Sequence, residues 1–270
     1  DGAEPHRWDF VFASVQSLRA SRLEQLDPKR FDVVIIDEFH HAQAPTYNAL
    51  LGHFQPRELL GLTATPERGD GENVQKYFDY RVAHELRLWD ALRLQLLVPM
   101  HYYGIADGTD LSSLTWIRGK KDYNSRELSE FYIKAGEKRT RFIINELNRR
   151  IFDLSEMKAI GFCVTIAHAK YMATQFQQFG IPARAVTNEL SAAERAQAIR
   201  DLEAGEVKVL FSVDIFNEGV DIPAVNTLLL LRPTQSPVVF LQQLGRGLRL
   251  SPCKDSCVIF DFIGQQHADF

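Results

Sequence analysis

The sequence is poor in cysteine and has no long apolar run. It contains 3 cysteines in 270 residues, and this odd, small number is typical of a reducing compartment. Cys253 and Cys257 lie close together, but no second Cys or His pair at zinc-ligand spacing accompanies them, so we expect no zinc site. No stretch approaches the length of a membrane span, and the first residues carry no signal-peptide pattern. These absences predict a cytoplasmic protein without a membrane partner.

The chain also lacks a large excess of charge. Its formal net charge of -4 gives no general attraction to nucleic acid. This weighs only weakly against such a partner, because a groove can be locally basic or can hold phosphates through backbone N–H groups and hydroxyls. A hydrophobic content of 45% and a charged content of 24% are those of a globular protein with one large or two ordinary domains.

A short apolar run at residues 33–36 stops at the carboxylates of Asp37 and Glu38. The run is too short and continuous for an amphipathic helix, so it predicts a strand buried on both faces, as in a parallel sheet. The two acids then lie at the carboxyl edge of that sheet, where open α/β folds bind ligands. Asp37 could hold Mg²⁺ through water, and Glu38 could orient or deprotonate a water that attacks a γ-phosphate. The alternative is a solvated strand end.

Hydroxyl and amide side chains follow two other apolar runs. Residues 59–62 predict a strand, and the hydroxyls of Thr63 and Thr65 share a sheet edge with the two acids if the strands are parallel neighbours. Residues 8–15 predict another strand, which Gln16 follows. The Gln16 amide could touch a phosphate backbone, or this strand end could simply cap the helix that follows.

Regular alternation of strand and helix begins near residue 159. Strands are predicted at residues 159–164, 183–187, 207–213, 227–231 and 258–262. Such strands, separated by helices, indicate βαβ units and a parallel sheet. The first half has too few strands for a complete domain of this kind. We therefore predict a partial first lobe at residues 1–100, a linker at 101–128 and a complete second lobe at 129–270.

Residues 242–249 read Q-Q-L-G-R-G-L-R and place Arg246 and Arg249 three apart. On one helical turn both guanidinium groups can point the same way, and Gly245 and Gly247 permit close approach of another backbone. Two permanent charges could hold the equatorial oxygens of a phosphate, as an arginine finger does. Two arginines on a helix are otherwise an ordinary exposed face.

Taken together and in order, these segments resemble the motifs of the superfamily 2 helicases and translocases. D-E-F-H is similar to motif II of the DEAD/DEAH boxes, with Phe39 in place of the usual alanine. The similar segments are residues 11–18 (near motif Ib), 37–40 (II), 63–65 (III), 162–169 (IV), 217–221 (V) and 242–249 (VI). The resemblance covers nearly the whole chain. It implies an α/β fold of two RecA-like lobes, the first truncated at its N-terminus.

Longer strings resemble the bacterial DNA-directed branch, which includes type I restriction motor subunits and excision-repair helicases. F-N-E-G-V-D-I-P, F-L-Q-Q-L-G-R-G-L-R and D-F-I-G-Q-Q-H are similar to bacterial helicases that are often fused to a phospholipase D-like nuclease domain. The resemblance implies an ATP-dependent helicase or translocase that uses ATP and Mg²⁺ on nucleic acid, DNA rather than RNA. The alternatives are the motor part of a restriction or repair nuclease subunit, and a non-hydrolysing module that binds nucleic acid or a partner.

The resemblance also implies a role for each motif residue. Asp37 would coordinate Mg²⁺, and Glu38 would activate water. The other implied roles are coupling of the ATP state to strand movement (His40, Thr63, Thr65), nucleotide contact (Gly219, Asp221, Gln242), completion of the catalytic site from the second lobe (Arg246, Arg249) and contact with the sugar–phosphate backbone (Gln16, Thr165, Thr187, Ser212).

One motif of this superfamily is missing. The P-loop, G-x-x-x-x-G-K-[ST], does not occur, and the nearest string, G-E-K-R-T at residues 136–140, lacks the glycine pair. Because the chain begins where the segments after a P-loop would begin, we expect a natural or recombinant fragment. Without the lysine and the N–H groups of the loop nothing cradles the β- and γ-phosphates, so this polypeptide alone is expected to bind ATP poorly and hydrolyse it negligibly.

Overall fold

The computed structural model describes residues 9–18, 23–42, 44–64, 74–117, 122–213 and 221–265. The chain forms two compact units, Asp1–His84 and Glu85–Phe270. Within the described ranges, no helix combines the length and the apolar character that crossing a membrane requires.

The described part of the first unit includes a small parallel sheet and an α-helix. Strand β1 (Val33–Ile36) pairs with β2 (Glu58–Gly61), and Ile36 lies opposite Gly61. Helix α1 (Pro45–His53) begins with a proline, whose fixed φ suits the first helical turn. Short 3-10 helices lie at Val15–Ser17, Phe39–His41 and Val74–Phe78.

Two predictions for this unit are wrong. Residues 11–14 form no strand, because the chain turns at Val15–Ser17, where the Ser17 hydroxyl donates to the Ser14 carbonyl at 2.7 Å. Strand β1 is also not buried on both faces. Val33 and Ile35 are 54% and 60% exposed, whereas Ile36 packs in the core of the unit.

Phe39, the residue that departs from the motif II pattern, lies in the core of the first unit. Its ring is buried and contacts the rings of Tyr77 and Phe78, with centroids 5.6 and 4.8 Å away. Gly61 on the neighbouring strand makes room for this packing. A Cβ added at Gly61 would lie 2.8 Å from two atoms of the Phe39 ring and 2.7 Å from Cζ of Phe78.

We expect Gly61→Ala to lower the free energy of unfolding of the first unit by about 1–3 kcal/mol, the usual cost of overpacking. Gly52→Ala is the matched control, because Gly52 lies inside α1 and a Cβ there would meet nothing within 4 Å. Alanine at an open helical position should raise stability by up to about 1 kcal/mol. Chemical denaturation followed by circular dichroism measures both variants, and equal effects would contradict the packing explanation.

The second unit is built on a six-stranded sheet in the order β3-β10-β9-β6-β8-β7, in which every neighbouring pair is parallel. Its strands are β3 (Met100–Asp110), β6 (Ala159–Phe162), β7 (Ala183–Val186), β8 (Val209–Ser212), β9 (Thr227–Leu230) and β10 (Cys257–Gln265). A separate antiparallel pair joins β4 (Trp116–Ile117) to β5 (Asp122–Tyr123).

Helices surround this sheet and bury both of its faces. They are α2 (Leu88–Arg93), α3 (Ser125–Arg150), α4 (Ile166–Gln178), α5 (Ala192–Ala204) and α6 (Pro237–Gly247), with a short 3-10 helix at Leu154–Glu156. Val209 and Phe211 pack with residues of α3 and α4, whereas Leu210 between them packs with residues of α5 and α6. Because successive strand residues point to opposite faces, the sheet has an apolar layer on each side. This confirms the predicted α/β class.

Ser191 and Glu194 form a capping box at the start of α5. The predicted linker at 101–128 is wrong for its first part, because Met100–Asp110 is an edge strand of the sheet, paired with β10 along most of its length.

Candidate functional site

The acidic pair follows β1 at the carboxyl end of the small sheet, as predicted. Asp37 is exposed, and Glu38 adopts a left-handed backbone conformation with φ 50° and ψ 46°. The next residues reattach the chain to the sheet, since the Phe39 N–H donates to the Leu62 carbonyl at 2.8 Å. A non-glycine residue rarely adopts this conformation, and surrounding structure has to maintain it. Here the buried Phe39 ring and its backbone hydrogen bond do so.

His40 brings two strand ends together. Its Nδ1 atom lies 3.3 Å from Oε2 of Glu38 and 3.3 Å from Oγ1 of Thr63, which follows β2. The imidazole is buried, whereas the Glu38 side chain is one-third exposed. Three residues predicted for the site are thus in contact through one imidazole nitrogen. Thr65 lies outside the described residues.

Asp37 fits the predicted magnesium role as a single ligand. One oxygen of its carboxylate accepts a hydrogen bond from the Glu38 N–H at 2.9 Å. Among the described residues no group of three or more His, Cys, Asp or Glu side chains could enclose a metal ion. Mg²⁺ commonly takes one or two carboxylates and fills its remaining positions with water and phosphate oxygens, so an exposed aspartate suits it.

In the second unit, two of the predicted nucleotide-site residues form an ion pair. Nη1 of Arg249 donates to Oδ1 of Asp221 at 2.5 Å. Lys254 supports this pair, because its Nζ donates to the carbonyls of Arg249 and Pro223 at 2.9 and 3.0 Å. Burial, together with the charge of Arg249, lowers the pKa of Lys254, although the nearby Cys257 thiol acts in the opposite direction. Sequence reasoning missed Lys254, since an isolated lysine carries no motif signal.

The two arginines do not share a helical turn, so that prediction is wrong. Helix α6 ends at Gly247, which leaves Arg246 in its last turn and Arg249 beyond it. Gly247 ends the helix against the sheet, since a Cβ there would lie 2.5 Å from Sγ of Cys257. A Cβ at Gly245 would meet nothing within 4 Å. Gln242, also on α6, is half-buried.

The residues predicted to hold a nucleic-acid backbone differ from one another in burial and in the element that carries them. Thr165 is half-buried and caps α4. Thr187 and Ser212 are only 2% and 0% exposed, and the Ser212 hydroxyl donates to the Val213 carbonyl, so their burial does not support this role. Gln16 lies in the 3-10 helix Val15–Ser17. Gly219 lies outside the described residues.

The parallel sheet and the motif contacts define a helicase-type module with RecA-like architecture. Two family models match the chain: residues 140–251 match the helicase conserved C-terminal domain, and residues 2–68 match the type III restriction enzyme, res subunit. In both regions the chain is similar to the superfamily 2 helicases and translocases.

Comparison with known proteins agrees with this assignment. The chain is 31% identical to "Putative ATP-dependent helicase IRC3" of Saccharomyces cerevisiae over 95% of its own length and 37% of that protein. A solved structure of the ATP-dependent Type ISP restriction-modification enzyme LlaBIII bound to DNA has the same fold, with a TM-score of 0.65 and 18% identity over 93% of this chain and 19% of that one.

A second solved structure with this fold is S. cerevisiae Dbp5 bound to RNA and ADP BeF3. Its TM-score is 0.53, with 17% identity over 93% of this chain and 57% of that one. The chain spans 37% to 50% of the lengths of the first curated relatives that it matches.

Proposed function

We propose that this chain is the motor part of an ATP-dependent helicase or translocase that moves along nucleic acid. The observation that carries the proposal is the contact of His40 with both Glu38 and Thr63. An acid at the end of one strand and a hydroxyl at the end of the next are thereby linked, so a change around the nucleotide can reach the residues that follow β2. This arrangement suits a coupling device better than a solvated strand end.

In this proposal the first unit supplies the hydrolytic groups. Asp37 holds Mg²⁺, which when bound neutralises charge on the β- and γ-phosphates. Glu38 orients a water molecule and accepts its proton, and His40 holds the Glu38 carboxylate in place. Thr63 and Thr65 pass the nucleotide state on to the bound strand.

The second unit supplies positive charge and nucleotide contacts. Arg246 and Arg249 provide positive charge for the phosphates, and Asp221 holds the Arg249 guanidinium through their ion pair. The roles of Gln242 and Gly219 in nucleotide contact rest on the motif resemblance. A planar, permanently charged fork is the side chain best suited to stabilise the charge that develops on a transferred phosphoryl group.

DNA is the nucleic acid along which the proposed motor moves. The strings around motifs V and VI resemble DNA-directed helicases, and the solved structure with the higher TM-score of the two described above is bound to DNA, although the other is bound to RNA. Among the residues that the structure describes, Thr165 is the one that we propose to contact the sugar–phosphate backbone of the DNA. A motor fused to a restriction or repair nuclease is the second candidate, favoured by the likeness to a restriction-modification enzyme.

The exposed face of the β1–β2 sheet supports a larger first lobe in the whole protein. It presents four apolar side chains to solvent: Val33, Ile35, Leu60 and Leu62. Contiguous exposed apolar patches usually mark contact surfaces. We expect helices of the full-length motor to cover this face and a further strand to pair with the edge of the sheet, with the phosphate-binding loop between strand and helix.

The proposal is tested by ATP hydrolysis in the protein extended to include a phosphate-binding loop. We expect addition of single-stranded DNA to raise the hydrolysis rate, because His40 and Thr63 couple strand contact to catalysis. Hydrolysis that neither DNA nor RNA stimulates would overturn the motor assignment. Equal stimulation by DNA and RNA would overturn the preference for DNA.

A further inference from the structure

Ser129, on helix α3, lies outside every motif of the family but contacts one of them. Its side chain is buried, and its Oγ lies 2.6 Å from Oγ1 of Thr165, which is 36 residues later in the sequence. Thr165 also accepts a hydrogen bond from the His168 N–H at 3.2 Å as the N-cap of α4. Within the described residues, the Ser129 hydroxyl makes no other hydrogen bond.

The donors and acceptors around the Thr165 hydroxyl determine how the hydrogen bond to Ser129 can orient its proton. A hydroxyl has one O–H donor and two acceptor lone pairs. The His168 N–H occupies one lone pair, and the second can accept the O–H of Ser129, since either hydroxyl of this pair can be the donor. When Ser129 donates, the proton of Thr165 is left to donate outward. A phosphate oxygen is the acceptor that would strengthen this donation most, because it is charged.

A buried stack holds α3 against the start of α4. The Arg139 guanidinium lies 3.9 Å from the centroid of the Tyr132 ring, and that ring stacks on His168 at a centroid distance of 5.3 Å. Nε of Arg139 also donates to Asp107 on β3 at 3.0 Å, with both side chains at most 4% exposed. Burial, with a contribution from Arg139, lowers the pKa of His168 to about 3, so the ring is neutral at neutral pH.

The part of α3 that carries Ser129 packs against different residues from the rest of the helix. Gly136 interrupts α3 with φ 63° and ψ -146°. Beyond it, Ile143 and Leu147 pack in the main core, whereas the first part of α3 packs in a separate small cluster. That cluster comprises Leu111, Tyr123, Leu128 and Tyr132, with Val164 packed against it. The first part of α3 is thus positioned together with the residue that precedes Thr165.

We infer that Ser129 is a positioning residue for nucleic-acid contact, which fixes the Thr165 hydroxyl so that its proton faces a backbone phosphate. This inference rests on the proposed function, because it requires that Thr165 contacts the nucleic acid. It gives the first part of α3 a role that its sequence does not signal.

The test is binding of the whole 270-residue chain to fluorescein-labelled single-stranded DNA, measured by fluorescence anisotropy. We expect Ser129→Ala to weaken binding about three- to tenfold, the range for one oriented hydrogen bond. Ser125→Ala is the matched control, because Ser125 is an exposed serine on the same helix. It should leave the affinity unchanged, and circular dichroism checks that both variants fold.

A double variant separates positioning from a general structural effect. Thr165→Ser keeps the hydroxyl and should keep the affinity, whereas Thr165→Val should lose it. If Ser129 acts through Thr165, adding Ser129→Ala to Thr165→Val weakens binding no further. Additive losses, or Ser129→Ala binding as tightly as the wild type, would overturn the inference while leaving the motor proposal intact. A wild-type chain that binds neither DNA nor RNA would overturn both.

Discussion

Glu38→Gln is expected to reduce the DNA-stimulated ATPase rate about 10²–10⁴-fold, the usual contribution of a positioned general base. The substitution keeps the shape of the side chain and its distance to His40 but removes the negative charge that accepts a proton from water. The measurement is steady-state phosphate release by the protein extended to include a phosphate-binding loop. Binding of DNA should persist, because Glu38 acts on the nucleotide.

Glu58→Gln is the matched control for this prediction. Glu58 begins β2 and is exposed, so it lies at the opposite end of the same two-stranded sheet from Glu38. We expect its hydrolysis rate to equal that of the wild type. A Glu38→Gln protein that retains normal turnover would show that another group activates the water.

Arg249→Ala is expected to lower the same rate by about 10³–10⁵-fold, as loss of an arginine finger does in other nucleotide hydrolases. The loss has two physical sources. A permanent charge disappears from the side of the transferred phosphoryl group, and Asp221 is left without the guanidinium 2.5 Å away. Arg249→Lys should recover little activity, because an ammonium group cannot form the planar, bidentate contact.

Arg200→Ala serves as the control for Arg249→Ala. Arg200 is an exposed arginine of the same unit, and on α5 it donates to the side chain of Gln197. We expect its removal to leave hydrolysis unchanged. Should Arg249→Ala hydrolyse ATP as fast as Arg200→Ala, the assignment of Arg249 to the catalytic site would be wrong.

The sequence predicted the sheet of the second unit well, since its strands are short apolar runs separated by amphipathic helices. Strand β3 was missed. Its sequence, M-H-Y-Y-G-I-A-D-G-T-D, has glycines and acids and no strict alternation, and it becomes a strand through pairing with β10. As an edge strand it is largely exposed, so burial imposes little pattern on it.

The candidate site was predicted best where residues follow a strand. Asp37, Glu38 and Thr63 come after β1 and β2, and His40 connects the last two of them. Thr165 likewise lies three residues beyond β6, whereas Ser212 is the last residue of β8 itself. A side chain within a strand stands perpendicular to the sheet and enters the packed layer, which explains the burial of Ser212. Ser129 and Lys254 were missed because tertiary contacts alone define their roles.

The packing of Phe39 against Gly61 ties the composition of motif II to a position just before motif III. The two residues occupy one shared volume in the core, so neither can change size by itself without leaving a void or a clash. Grafting the commoner alanine into D-E-F-H would therefore demand a bulkier partner on β2. Any redesign of this edge of the sheet has to change positions 39 and 61 together.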